Sequence, residues 1–201
     1  MTKLKILNLY AGIGGNRKLW GDDHDITAVE INPKIAECYQ KLFPNDTVIV
    51  GDAHEYLLRH FREFDFIWAS PPCVTHSRAG LGNINKDIFQ YPDMKLYQEI
   101  ILLKTLFKGK WIVENVKPYY KPLISPTFQI GRHLFWSSDF ILALGFEENF
   151  VNIWGSVKKM ETAYEYDLSG YKLDTKLKRK ILRNCVKPEI GKYIFEQIMK
   201  G

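Results

Sequence analysis

An alternation of two patterns constrains this chain most. Short apolar runs at residues 4–9, 26–30, 47–50, 64–69 and 110–116 read as strands. Between them, residues 35–42, 55–61 and 94–107 carry apolar side chains at helical spacing. Continuous apolar strands alternating with amphipathic helices predict an α/β fold, with a mostly parallel sheet covered on both faces. Right-handed crossovers make such a sheet doubly wound, of the Rossmann-like type. Ligands then bind at the carboxyl ends of the strands. The unusual residues of this sequence all lie just after a predicted strand.

The 201 residues suffice for one domain with a sizeable core. The composition, 46% hydrophobic and 25% charged, excludes a disordered chain. The net charge of +5 is unevenly placed: residues 151–201 hold eleven Lys and Arg against six Asp and Glu, which accounts for the whole excess. That asymmetry points either to a polyanion or to a solvated helix face. Cys38, Cys73 and Cys185 are odd in number and irregularly spaced, so neither a disulfide framework nor a metal site is expected. No leader or membrane-spanning run is read, which predicts a cytoplasmic protein. Beyond residue 135 the pattern weakens. Residues 140–145 are predicted as a further strand, 151–172 as irregular and aromatic, and 175–184 and 189–199 as helices.

The strand ends carry the chemistry. The first ends in Tyr10-Ala11-Gly12-Ile13-Gly14-Gly15, a turn that lets backbone approach a ligand or simply reverses the chain. Its spacing is not that of a dinucleotide fingerprint. Glu30, ending the second strand, can hold both hydroxyls of a ribose. Asp52, after the third, can accept from an adenine amino group or cap the next helix. A glycine turn and two acids at three successive strand ends suit an adenosine cofactor without phosphates. The fourth strand ends in Ser70-Pro71-Pro72-Cys73, where two prolines fix the backbone beneath a candidate nucleophile. The fifth ends in Glu114-Asn115-Val116, whose carboxyl can donate a proton if burial raises its pKa.

These blocks, in this order, resemble the DNA (cytosine-5) methyltransferases. Tyr10 to Gly15 looks like the cofactor loop, Pro71-Pro72-Cys73 like the nucleophile block, and Glu114-Asn115-Val116 like the second catalytic block. Asn184-Cys185-Val186-Lys187-Pro188 resembles a C-terminal block that folds back on the cofactor site. The string Gly131-Arg132-His133-Leu134-Phe135-Trp136 is most similar to compact phage- and prophage-encoded members. The pattern departs from the family in three places. Val74 stands where Gln is usual, and Arg183 where Gly is usual. Gln129-Ile130-Gly131-Arg132-His133 has lost both family arginine positions, with Arg132 falling between them.

The resemblance implies methyl transfer from S-adenosylmethionine to carbon 5 of a flipped-out cytosine in DNA. Cys73 would add to carbon 6, Glu114 would serve ring nitrogen 3, and Arg132 would place a cation near the base. Tyr10, Ala11, Gly12, Gly14, Gly15, Glu30, Ile31, Asp52, Ala53, Pro71 and Asn184 would bind cofactor, and no metal is implied. Residues 74–92 would form a lid. Ser77 and Arg78 would contact nucleic acid, as would Lys176, Lys178, Arg179 and Lys180. The aromatics Trp154, Tyr164, Tyr166 and Tyr171 would stack bases or merely pack. The expected organisation is a catalytic core at 1–136, a reduced recognition region at 137–182 and a returning C-terminal helix at 183–201. A monomer is expected, with an accessory recognition subunit as the variant. The rival readings are the same chemistry on tRNA, a non-catalytic DNA-binding protein, and one subunit of a split enzyme.

Overall fold

The computed structural model describes residues 3–78, 90–142 and 155–200. Seven strands form one sheet: β1 (Lys5–Leu9), β2 (Asp25–Glu30), β3 (Thr47–Val50), β4 (Phe66–Ala69), β5 (Lys110–Val116), β6 (Phe128–Ile130) and β7 (His133–Ser137). Their order is β3-β2-β1-β4-β5-β7-β6. The first five run parallel, while β7 lies antiparallel to β5, and β6 to β7. The strand order reverses between β1 and β4. That switch point is where an open parallel sheet leaves a crevice.

Six α-helices and a 3-10 turn (Phe61–Glu63) accompany the sheet in the described residues; the α-helices are α1 (Pro33–Leu42), α2 (Ala53–His60), α3 (Lys95–Leu106), α4 (Val157–Tyr164), α5 (Thr175–Arg183) and α6 (Pro188–Lys200). Local chemistry sets their starts. Asn32 accepts from the Lys34 and Ile35 amides ahead of Pro33, so α1 begins with a side-chain cap and a proline in its first turn. Asp52 caps α2 through the Glu55 amide.

The core has two layers because side chains alternate along each strand. Leu7, Leu9, Ile67, Ala69 and Val113 face α2 and α3 in one layer. Ile6, Phe66, Trp68, Ile112 and Phe135 pack in the other against Ile190, Ile194 and Ile198 of α6. A third cluster joins α4 and α5 to α1 and to Ile13 of the glycine turn. Fully burying each such aliphatic side chain contributes about 1.5–3 kcal/mol.

Two expectations fail. Residues 140–142 form no strand, and 143–145 lie outside the described residues. The sheet grows instead through the β6–β7 hairpin, and the chain beyond Ser137 is tied down by polar bonds. Lys110 Nζ meets Asp139 Oδ1 at 2.7 Å, and the Trp111 amide donates to Ser138 Oγ at 3.1 Å. The hairpin turns on Gly131-Arg132, with Gly131 at φ +56°, as primed two-residue turns require. The second failure concerns residues 151–172, which contain α4. Ser156 caps it through the Lys159 amide, and Met160 and Tyr164, one turn apart, bury its inner face.

Candidate active site

The turn after β1 is held on both sides. The Ala11 amide donates to Val29 O at 3.0 Å, and the Gly14 amide to Ala11 O at 2.8 Å. Tyr10 and Gly12 both adopt left-handed backbone, at φ +57° and +55°. That conformation is costly for tyrosine, and such strain collects at functional sites. Open space lies beside Gly12. Gly15 is different, because a Cβ there would stand 2.2 Å from Cys185 Sγ and 2.4 Å from Val186 O. The C-terminal block therefore lies directly on the glycine turn. Within it Asn184 is exposed at the end of α5.

Glu30 is buried at the end of β2, with both carboxylate oxygens engaged. Oε2 accepts from the Gly12 amide at 3.0 Å and Oε1 from the Asn32 amide at 2.8 Å. Each oxygen keeps a second lone pair for a hydroxyl donor. Ile31 beside it is exposed, an apolar side chain available to a ring. Asp52 divides its duties: Oδ1 caps α2, while Oδ2 faces Lys95 Nζ at 3.4 Å. The cap and the Lys95 charge, working against burial, hold its carboxyl below the usual range. Ala53 is buried behind it.

Three residues escaped the sequence reading. Glu99, on α3, accepts from the Tyr10 hydroxyl and meets His54 Nδ1 at 2.9 Å through the same oxygen. Lys95, one turn earlier, is the partner of Asp52. The available signal was a glutamate among Leu96, Ile100 and Leu103 on the inward face of a helix.

The block after β4 and the block that ends β5 are bonded to each other. The Asn115 side-chain Nδ2 donates to Pro71 O at 2.9 Å across buried space. Cys73 O accepts from the His76 and Ser77 amides at 3.0 and 2.9 Å, which closes a turn directly after the cysteine. His76 anchors that turn, buried with Nδ1 2.6 Å from the Tyr120 hydroxyl. Ser77 bridges to Pro118, and Arg78 is exposed. Most of the predicted lid, residues 79–89, lies outside the described residues.

Glu114 is buried, and its environment raises its pKa to about 7. Burial is the main cause, opposed by a hydrogen bond from Ser70 and by the Arg132 charge. Ser70 is itself fixed by the Trp68 indole, which donates to its hydroxyl at 3.0 Å. Burial and the Glu114 charge push the Cys73 thiol up, and Arg132 pulls it down. Cys73 thus feels the charges of both Glu114 and Arg132, and Glu114 feels that of Arg132. Arg132 stands in the β6–β7 turn and not on a strand. Its Nη2 lies 3.5 Å from Arg183 O, so it also touches the C-terminal block. His133 Nε2 is 4.0 Å from Glu114 Oε1. Burial and Arg132 lower its pKa to about 3, so the imidazole is neutral and this contact is no ion pair.

The basic run of α5 splits in two. Lys176, Arg179 and Lys180 are exposed, whereas Lys178 is half-buried and its charge acts on Cys38 of α1. Tyr164 and Tyr166 are packed, with the Tyr166 hydroxyl donating to Ile13 O at 3.1 Å. Tyr171 packs at the edge of the same cluster, and Trp154 lies outside the described residues. Among the described residues no helix is long and apolar enough to cross a membrane, and no cluster of His, Cys, Asp and Glu is built for a metal.

Known proteins resemble this chain in sequence and in fold. The chain is 32% identical over 124 residues to the Type II methyltransferase M1.HphI of Haemophilus parahaemolyticus, covering 56% of this chain and 32% of that protein. It is 29% identical over 126 residues to the tRNA (cytosine(38)-C(5))-methyltransferase of Rattus norvegicus, covering 59% and 32%. The chain thus spans about a third of the length of these relatives. Among solved structures, the Entamoeba histolytica methyltransferase EhMeth superposes with a TM-score of 0.60 at 13% identity, over 100% of this chain and 99% of that one, a likeness of fold. The sequence model for C-5 cytosine-specific DNA methylases matches residues 4–131, which takes in the glycine turn, both strand-end acids, Cys73 and Glu114. With that match over more than half its length, the chain belongs to the C-5 cytosine-specific DNA methylase family, whose members depend on S-adenosylmethionine.

Proposed function

We propose that this chain methylates carbon 5 of cytosine in DNA through a covalent adduct on Cys73. The observation that carries this reading is the pairing of Cys73, on the loop after β4, with a buried, high-pKa Glu114 at the end of β5, the two segments being joined by the Asn115–Pro71 bond. A thiolate and a carboxylic acid are what covalent activation of a pyrimidine needs. The Cys73 sulfur bonds to carbon 6 as the carbon 5–carbon 6 π bond opens. Glu114 gives a proton or hydrogen bond to ring nitrogen 3, which takes up the displaced charge. Arg132 adds a cation that steadies the thiolate. S-adenosylmethionine, when bound, supplies the electrophilic sulfonium methyl that carbon 5 takes up. Loss of the carbon 5 proton to solvent then returns its electrons to the ring and expels the Cys73 thiolate, and ring nitrogen 3 hands back to Glu114 any proton it had received. A base inside a duplex is beyond reach of this site, so the cytosine is flipped out.

The crevice fits an adenosyl group. Glu30 is held rigid by two backbone amides with lone pairs to spare for ribose hydroxyls. Open space beside Gly12 admits the ligand backbone. Asp52 stands ready to accept from an adenine amino group, with Ile31 and Tyr10 as apolar flanks. Ala11, Gly14, Gly15, Ala53 and Pro71 shape the walls. Asn184 closes the C-terminal side. The outer face of α5, with Lys176, Arg179 and Lys180, supplies phosphate contacts, as do Ser77 and Arg78. Residues 137–182 act as the reduced recognition region.

The direct test is a trap. DNA carrying 5-fluorocytosine, incubated with protein and cofactor, should form a denaturant-resistant adduct, and Cys73→Ser should abolish it. An adduct that survives Cys73→Ser overturns the mechanism. The tRNA reading is supported by the rat relative's name. Mass spectrometry of nucleosides after incubation with DNA or with tRNA separates the two substrates.

A further inference from the structure

Among the described residues Glu99 is the most deeply buried acid, and the reaction above does not use it. It sits in the middle of α3 on the core face, between Leu96, Ile100 and Leu103, where an apolar residue would pack. Burying a carboxylate there is costly unless its bonds repay it. Two bonds converge on Oε1. One comes from the Tyr10 hydroxyl on the glycine turn, and the other joins His54 Nδ1 in the first turn of α2, at 2.9 Å. The second oxygen, Oε2, is buried with no hydrogen-bond partner among the described residues. On the same helix face, one turn earlier, Lys95 reaches Asp52 Oδ2 at 3.4 Å. A single helix therefore grips the loops after β1 and β3, the two strands that flank β2 and its terminal Glu30.

Tyr10 makes this grip consequential. Its backbone is left-handed, a conformation that a tyrosine keeps only when its surroundings hold it. Two residues on, the Gly12 amide is bonded to Glu30. A shift of Tyr10 would carry that amide, and with it the orientation of the Glu30 carboxylate. We infer that Glu99 is a positioning residue that sets the affinity of the crevice for an adenosyl ligand by locking Tyr10 and His54. The inference rests on the reading of the β1–β3 loops as the cofactor site. Glu99 acts through its two partners and not on the reacting atoms.

A binding cycle tests it. S-adenosylhomocysteine affinity is measured calorimetrically for the wild-type chain, Tyr10→Phe, Glu99→Met and the double variant. Each single change should weaken binding about tenfold, the worth of one buried hydrogen bond. The double variant should be no weaker than Glu99→Met, because both changes break the same bond. Glu99→Gln, which keeps an acceptor for the Tyr10 hydroxyl, should recover most of the loss. In turnover, the loss in Glu99→Met should fall on the KM for S-adenosylmethionine and not on kcat. Losses that add in the double variant, or unchanged affinity in Glu99→Met, overturn the inference. If Glu99→Met does not fold, Tyr10→Phe and His54→Leu carry the same expectation, and unchanged affinity in both overturns it. A wild-type chain that binds no S-adenosylhomocysteine overturns the cofactor reading itself, an outcome distinct from any variant result.

Discussion

The Asn115 side chain donates to the Pro71 carbonyl at 2.9 Å, across 44 residues of sequence. This bond fixes the end of β5 against the loop after β4. It holds Glu114 and Cys73, one residue and two residues from its ends, in a constant relation. The consequence is electrostatic coupling. Glu114 has a pKa near 7 and responds to Arg132, and Cys73 is raised above the ordinary thiol range and responds to both Glu114 and Arg132.

The reactive form needs Cys73 ionised and Glu114 protonated, the reverse of their acid strengths. That form is a fixed minor fraction of the singly deprotonated pair. The rate at limiting substrate should therefore rise through about pH 7 and fall at alkaline pH as the second proton leaves. Glu114→Gln removes the group titrating near 7. In that variant the residual rate should climb with Cys73 ionisation alone and lose its alkaline fall. Arg132→Met should move both limbs upward, since Arg132 lowers both groups. A profile whose lower limb survives Glu114→Gln unchanged would refute the assignment.

The same carboxyl links stability to pH. Its folded pKa of about 7 exceeds the ordinary 4.5, so the fold favours the neutral acid. The stabilising contribution is complete below pH 4.5 and is lost as pH rises through 7. The difference amounts to as much as about 3 kcal/mol. Relative to the wild type, Glu114→Gln should gain stability between pH 5 and pH 8. Urea unfolding at a series of pH values checks this, and parallel curves for the two proteins would disprove it.

Gly15 makes a packing prediction. A methyl there meets the Val186 carbonyl at 2.4 Å as well as Cys185 Sγ. The sulfur can be trimmed but the carbonyl cannot. Gly15→Ala should cost about 1–3 kcal/mol in urea unfolding, and Cys185→Ala should restore only part of it. Gly12→Ala meets open space, so its smaller penalty comes from the left-handed backbone, about 1–2 kcal/mol. Equal penalties for the two substitutions, or full rescue by Cys185→Ala, would contradict this geometry.

The parallel half of the sheet was legible because its strands are continuously apolar and each ends in a residue with distinct chemistry. Glu30, Asp52, Cys73 and Glu114 stand out one at a time as candidates for that reason. The β6–β7 hairpin was not legible as strands, because Gln129 to His133 was read for its resemblance and not for its turn. Helix α4 was hidden by a mixed, aromatic composition, although Ser156 and the Met160–Tyr164 spacing were there to be read. Glu99, His54 and Lys95 act only through tertiary contacts, so local spacing leaves them silent. Arg132 was found from its place in the chain, but its approach to Arg183 depends on how the C-terminal block folds back.

The basic run on α5 behaves differently in sequence and in space. Four cations fall within five residues, yet helical spacing puts Lys176, Arg179 and Lys180 outward and turns Lys178 toward α1. Exposed cations neutralise phosphates and release counterions, and each phosphate contact contributes about 0.9 to the log–log salt slope on duplex DNA. Replacing Lys176, Arg179 and Lys180 by glutamine together should flatten that slope by roughly 2–3. Lys178→Gln should leave it unchanged. Fluorescence anisotropy with a labelled duplex at several salt concentrations measures both slopes. An unaltered slope in the triple variant would return these three cations to the role of a solvated helix face, and a flattened slope in Lys178→Gln would mean that the duplex reaches the α1 side.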